Sequence, residues 1–428
     1  MSWPIGSLVL FALMLLGVPI SFALALVGTV GVVSIIGLEP ALTLLGQTFF
    51  DNSRTYSLSI LPLFLMMGNF VVQSGIAENL YNAANAWLRH RRGGLAMATV
   101  IACGGFSSVC GSSLATAATM SKISLPSMRR YGYPDGLSTA SIAAGGTLGI
   151  LIPPSVILVF YGIMTQQDIG KLFLAGLVPG LIGIAGYIVA VMISVRIRGV
   201  TLPTEPKLPL IDRIRALKGT AGALLLFAFV MGGIYFGVFT PTESAGMGAA
   251  GAMVLSFLQG RFRLIDTFRT LYETAKTTAM MFFILFGALT FTNYVNLSGM
   301  TRDLQDALTI FGSDPYAIIL VILMIYVVLG CLLEGLSMIT LTVPIFYPVV
   351  EAAGFDLIWF GIFVVIVTEV SYITPPVGMN AFVLKSVTRD VSLRTIFSGL
   401  LPFVAVDFVR IGLILAFPVL VLLLPSQM

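Results

Sequence analysis

Apolar positions in this chain form long unbroken stretches, unlike the alternating faces of a soluble fold. No Asp, Glu, Lys or Arg occurs within 1–38, 55–77, 93–121, 136–167, 172–195, 219–242, 277–301 or 411–428. A hydrocarbon core about 30 Å thick takes roughly 20 apolar residues of helix to cross, and most of these windows have that length. Charge gaps and breakers together predict membrane helices near 5–37, 58–75, 94–120, 136–163, 172–195, 219–239, 243–259, 277–297, 316–350, 357–384 and 396–424. The first carries a kink signal at Gly17-Val18-Pro19, and 46–57 reads as a polar interfacial stretch. Residues 77–92 are amphipathic and end in Arg89-His90-Arg91-Arg92, a pattern suited to a helix lying in the interface. Residues 196–218, with Arg196, Arg198, Arg213, Arg215, Lys218 and three prolines, read as a soluble linker. A β-barrel would need short alternating segments, so the class is an all-α polytopic membrane protein.

Four interruptions break this pattern. Residues 104–113, Gly-Gly-Phe-Ser-Ser-Val-Cys-Gly-Ser-Ser, place hydroxyls and glycines at membrane depth, and Pro153-Pro154 falls mid-span in 149–155. The second half repeats the order, with Gly-Cys-Leu-Leu-Glu-Gly-Leu-Ser at 330–337 and Pro375-Pro376 within 373–380. Leu125-Pro126 and Asp135 follow the first interruption; Val343-Pro344 and Asp356 follow the second. Each proline removes a donor and clashes with the preceding turn. Backbone opened in this way is tolerated in a membrane only when buried in protein or lining a wet cavity. The ordered self-similarity is that of a transporter repeat. With 94–120 and 316–350 as re-entrant hairpins, five crossings separate them, so they enter from opposite faces and the repeats are inverted. The basic loops 89–92, 122–130, 196–218, 261–269 and 385–394 then share one side. The Lys/Arg-poor loops 164–171, 240–242, 302–314 and 351–356 share the other, which makes the first set cytoplasmic. The chain divides into N-terminal scaffold helices with an interfacial arm (1–93), a first hairpin and broken helix (94–171), scaffold helices with the cytoplasmic linker 196–218 (172–315), a second hairpin and broken helix (316–395), and a C-terminal scaffold helix (396–428).

Composition agrees: 57% of the 428 residues are hydrophobic and 10% charged, with a mean hydropathy of +1.01. A net charge of +4 held between apolar segments implies membrane lipid as surroundings and no nucleic acid. Cys103, Cys110 and Cys331 lie in apolar stretches without metal-ligand spacing and read as small core residues. The single histidine, His90, cannot build a two-histidine metal site or HExxH chemistry. Residues 5–37 lack a basic n-region and read as retained membrane segment. No catalytic dyad is apparent, so an intramembrane enzyme has nothing to work with, and a passive scaffold subunit needs no paired unwound helices.

The breaks themselves carry chemistry. Half-helix N-termini suit a carboxylate, and unwound carbonyls suit Na⁺. Ser107, Ser108, Ser112, Ser113, Thr147, Ser155, Ser337, Thr374 and Asn380 add donors and acceptors. Glu334, an ionisable residue at an interruption, is a candidate for cation binding or proton coupling, or a structural acceptor at the hairpin tip. Gly176-x-x-x-Gly180 and Gly233-x-x-x-Gly237 read as close helix packing. Thr240-Pro-Thr-Glu243 reads as a capping box, and Asp407 with Arg410 as a local ion pair.

Over nearly its whole length the chain resembles the large membrane (M) subunit of tripartite ATP-independent periplasmic (TRAP) transporters. The resemblance is carried by Gly17-Val-Pro-Ile20, the Ser-rich hairpin 107–113, Thr147-Leu-Gly-Ile-Leu-Ile-Pro-Pro-Ser155, Thr240-Pro-Thr-Glu243 and Ile373-Thr-Pro-Pro-Val-Gly-Met-Asn380. It implies an elevator-type secondary transporter of the bacterial inner membrane that takes up an organic acid with sodium. It also implies two partners, a small four-helix membrane (Q) subunit and a periplasmic substrate-binding (P) protein. Two or more Na⁺ ions are implied, one near Ser107, Cys110, Gly330 and Leu332, another near Gly149, Ile152, Pro154, Ser371, Thr374 and Val377. Ser108, Ser112, Ser113, Ser155, Ser337 and Asn380 are left to the substrate. The sequence departs from the family pattern at Cys110, where Ser is usual, at Ser371, where Gly is common, and at Glu334, where a shorter acid is typical. A stand-alone divalent-anion or citrate-type Na⁺ or H⁺ symporter with inverted hairpins is the competing reading.

Overall fold

The structure is a computed structural model that describes residues 2–197, 202–260, 263–308, 315–330 and 333–428. Cys331, Leu332, Arg198 and Arg261 lie outside the described residues. Every regular element among the described residues is a helix. Among the described residues, five helices are long and apolar enough to cross a bilayer: Tyr56–Ser74, Ile169–Ile197, Leu264–Leu297, Gly335–Ala352 and Leu393–Ala416. The remaining apolar segments are shorter pieces, as broken spans must be. Large side chains such as Leu8, Leu15, Leu225 and Leu401 are exposed, which suits an outer surface solvated by lipid.

The kink expected at Gly17 is a full break between helices Trp3–Leu15 and Ile20–Ile36, with Gly17 at φ 81°. Two other expectations change. Much of the polar stretch 46–57 is helical, within Leu38–Ser53. The 196–218 linker ends in a helix, Leu210–Lys218, set at 57° to the helix Ala221–Tyr235. The capping box is present, since Thr240 Oγ1 accepts from the Glu243 amide and Glu243 Oε2 accepts from the Thr240 amide.

Both hairpins and both broken helices form. The first hairpin runs out on Gly94–Cys110 and returns on Ser113–Arg130. Its turn is made by Gly111, left-handed at φ 67°, and by Ser112, whose hydroxyl accepts from the Ala115 amide to cap the returning arm. The first broken helix is Asp135–Thr147, a single tight turn at Leu148–Ile150, the two prolines, and Val156–Thr165 capped by Ser155. The second hairpin comprises Pro315–Gly330 and Gly335–Ala352, capped by Glu334. The second broken helix comprises Leu357–Ser371 and Met379–Val387. Asp356 accepts from the Ile358 and Trp359 amides at its start.

The two repeats exchange contacts reciprocally. The returning arm of the first hairpin packs on Met379–Val387 of the second repeat, and the returning arm of the second packs on Val156–Thr165 of the first. Such an exchange is what a pseudo-two-fold repeat pair produces. Helices Ile169–Ile197 and Leu393–Ala416 pack on each other and on the broken helices of both repeats. Ile20–Ile36 lies along Leu264–Leu297, and Ile60–Ser74 lies along Pro241–Leu258.

Candidate transport site

Where the hairpin turns meet the breaks, helix ends replace helix flanks. A Cβ on Gly111 would stand 2.7 Å from the Pro154 carbonyl oxygen, and one on Gly149 would stand 2.8 Å from the Ser112 carbonyl. The first turn therefore sits directly on the first break. Gly330 stands in the same relation to the second, 2.3 Å from Ser371 Cβ by the same construction. The close approaches run within each repeat, joining Ser112 with Gly149, and Gly330 with Ser371. The first break is fully buried, while Pro375 and Pro376 of the second are exposed. Gly176 and Gly180, read from the sequence as packing positions, do pack, and what they admit is the Leu151 carbonyl and the Ile152 side chain of the first break.

A cavity of about 220 Å³ opens between these elements and the helices Tyr56–Ser74 and Leu264–Leu297. Its polar lining comes from Ser112 and Ser113 of the first turn, Glu334 of the second, and Asn69 and Thr277 of the two flanking helices. Cys110, Ile150 and Tyr372 complete the wall near the turns. Glu334 does two things there. Its Oε2 accepts from the Ser337 amide at 3.3 Å and from the Ser337 hydroxyl at 3.4 Å, while the residue lines the cavity.

The other predicted residues divide by surroundings. Asn380 is fully buried and joins three elements, donating to the Ala143 carbonyl at 2.8 Å and to Ser113 Oγ at 2.9 Å from the start of the second half-helix. Ser107 is fully buried and its hydroxyl has no hydrogen-bond partner. Ser108, Ser371 and Thr374 each donate to a carbonyl three or four residues back in their own helix or break. Ser155 caps its half-helix, accepting from the Leu158 amide and donating to the Ile150 carbonyl. Val377 is half-buried beside the exposed prolines. Ser108, Ser155, Ser337 and Asn380 are not among the residues lining the cavity.

One feature escaped the sequence reading. The Asp407–Arg410 pair forms, at 2.8 Å, but Arg410 also pairs with Glu369 of the second broken helix. Tyr187 donates to Asp407 at 2.8 Å, and Thr147 meets the Tyr187 hydroxyl at 3.1 Å. All five residues are at most 1% exposed. The chain of contacts runs from Thr147, just before the first break, to Glu369, two residues before Ser371 at the second. Glu369 is the lone charge between Asp356 and Lys385, and an ionisable residue inside an apolar span is the signal that marks such a site.

On the face carrying the basic loops, Arg129 at the end of the first hairpin binds Asp135 at 2.8 Å and Asp390 at 2.7 Å. It thus ties the end of one repeat to the loop that closes the other. Asp390's own backbone amide, with the Arg129 guanidinium, holds its carboxyl below the usual range.

Comparison with known proteins agrees with this architecture. Residues 7–420 match the family model "Tripartite ATP-independent periplasmic transporter, DctM component". The chain is 36% identical over 402 residues to the C4-dicarboxylate TRAP transporter large permease protein DctM of Pseudomonas aeruginosa, covering 91% of this chain and 93% of that protein. It is 30% identical to the sialic acid TRAP transporter large permease protein SiaM of Vibrio cholerae, covering 97% and 96%. It is 31% identical to the isethionate TRAP transporter permease protein DctMQ of Oleidesulfovibrio alaskensis, covering 92% of this chain and 62% of that longer protein. In fold it is similar to the YdaH transporter of Alcanivorax borkumensis, with a TM-score of 0.60 at 16% identity and 90% of each chain covered. The chain is a multi-pass inner-membrane protein and belongs to the DctM family of TRAP transporter large permeases.

Proposed function

We propose that this large permease drives uptake of an organic carboxylate by sodium symport, moving its hairpins and broken helices as an elevator against the flanking helices. The observation that carries this reading is the convergence of both hairpin turns, with Ser112, Ser113 and Glu334, on one cavity bounded by those flanking helices. Capped half-helix N-termini at Ser112, Ser155 and Glu334 offer amides and positive dipole ends to a carboxylate. The buried Ser107 hydroxyl, without a hydrogen-bond partner among the described residues, is an oxygen free to ligate Na⁺ in the last helical turn before Gly111. Cys110, Gly149, Ile152 and Pro154 surround the same turn-on-break contact. Gly330 meets Ser371 at the second contact, so the residues implied for each ion, Gly330 with Ser107 and Cys110, and Ser371, Thr374 and Val377 with Gly149, Ile152 and Pro154, are divided between the two repeats. Glu334 is the group placed to couple ion and substrate. C4-dicarboxylates and sialic acid are the carboxylates carried by relatives, and they define the substrate class proposed here. A substrate-binding protein and a small membrane subunit complete the complex, and the name DctMQ of the longer relative favours the second partner.

Thermal unfolding of the purified protein in Na⁺ against K⁺ at equal ionic strength tests the ion. A ligand at about 100 times its dissociation constant stabilises the native state by roughly 2.7 kcal/mol. A saturable Na⁺-specific rise in Tm, diminished in Ser107→Ala, is the expected result. Equal Tm in both ions would discard the sodium assignment. Uptake by proteoliposomes without any binding protein would favour the stand-alone symporter instead.

A further inference from the structure

The interfacial arm Ile76–Leu88 packs against helix Leu210–Lys218, and the second helix exposes apolar residues beside Arg215 and Lys218 while burying Arg213. Its apolar residues Leu210, Ile211 and Ile214 are 63%, 67% and 51% exposed, while Arg213 is 6% exposed. An amphipathic helix beside an aqueous phase would do the opposite. An exposed apolar stripe fringed by Arg215 and Lys218 fits the boundary between lipid tails and headgroups, and Arg213 lies on the buried side of the helix.

Arg213 lacks what a buried cation needs. Its Nε and Nη2 have no hydrogen-bond partner among the described residues, and its guanidinium lies 5.7 Å from the centre of the Trp87 ring. Among the described residues no carboxylate pairs with it: Glu205 is taken by Arg89, and Asp212 by Arg215. His90 Nδ1 is likewise buried without a partner. Loss of hydration, then the facing cations Arg213, Lys207 and Arg91, hold the His90 imidazole below its ordinary range. A concentration of positive charge at lipid depth, with buried donors left over, calls for an anion. Because the same helix shows an apolar face to the bilayer, that anion carries acyl chains.

We propose that the notch between Trp87–Arg91 and Lys207–Ile214 binds the phosphate of an anionic phospholipid of the cytoplasmic leaflet, with Arg213, Lys207 and Arg91 as its cationic contacts and Leu210, Ile211 and Ile214 against the acyl chains. The lipid then fastens the interfacial arm to the linker that leads into the next membrane helix.

The test uses the full chain in neutral detergent, titrated separately with phosphatidylglycerol, phosphatidylcholine and inorganic phosphate at matched ionic strength. Phosphatidylglycerol raises Tm saturably and the other two do not. Arg213→Gln weakens the apparent affinity for phosphatidylglycerol by roughly fivefold, the worth of one basic contact at a membrane surface. Arg215→Gln removes an exposed charge that is already paired with Asp212, away from the proposed contacts, and leaves the affinity within about twofold. Equal losses in the two variants would reduce the effect to diffuse attraction and overturn the site. An equal response to inorganic phosphate would reassign it to a free anion, and no response to phosphatidylglycerol would remove it. If Arg213→Gln does not fold, Lys207→Gln replaces it, judged against the same Arg215→Gln control.

Discussion

Asn380 joins three elements through one side chain. Its amide ties the half-helix that carries it to the first hairpin through Ser113 and to the first broken helix through the Ala143 carbonyl, all in full burial. Truncation to alanine leaves both partners unpaired, and each buried orphan costs about 1–3 kcal/mol. Asn380→Ala is expected to lower Tm markedly and to weaken any Na⁺-dependent stabilisation, measured in the same melt. An unchanged Tm would show that water replaces the amide without loss. The sequence marked Asn380 as polar at a break but assigned it to substrate, because pattern alone cannot tell a group that faces a cavity from one that faces a carbonyl across the fold. Glu369 was missed for a related reason. A lone acid in an apolar run stands out, but its role does not, because its partner Arg410 lies 41 positions away on another helix.

At the level of elements, hairpins and breaks were legible because proline and glycine act locally: a missing donor or a left-handed turn needs no tertiary context. The Leu210–Lys218 helix was not legible, since its arginines and flanking prolines read as solvated linker. The turn at Gly111 is the sharpest test of the hairpin. A left-handed conformation costs a non-glycine residue about 1–2 kcal/mol, and a Cβ there would also meet the Pro154 oxygen. Gly299 has a similar φ of 75° with nothing within 4 Å, so it isolates the conformational cost. Gly111→Ala is expected to destabilise more than Gly299→Ala and, unlike it, to reduce the Na⁺-specific shift. Equal effects would mean that the turn does not bear on the break.

Across the whole molecule, the Thr147–Tyr187–Asp407–Arg410–Glu369 chain spans four helices and reaches both breaks. Removing Arg410 leaves two buried carboxylates uncompensated, and breaking a buried pair costs about 3–5 kcal/mol. Arg410→Met should therefore melt well below wild type. The triple variant Arg410→Met/Glu369→Gln/Asp407→Asn should recover much of the loss, since the stranded charges are gone. A triple variant no more stable than the single would show that geometry, not charge, is what the network supplies. Helix-scale sequence patterns predicted the parts of this arrangement, but not that the last helix would stitch the two repeats together.

The reciprocal exchange of arms also bears on biogenesis. Ser113 and Asn380 are 267 positions apart, and at 5–20 residues per second a ribosome takes roughly a quarter of a minute to a minute to travel between them. Throughout that interval the first hairpin is already made, but the half-helix that seals it does not yet exist. Its hydroxyls and the opened backbone of the first break must wait in the translocon or among lipid headgroups. The first repeat is thus a dependent half, sealed only late in synthesis, when the half-helix Met379–Val387 arrives.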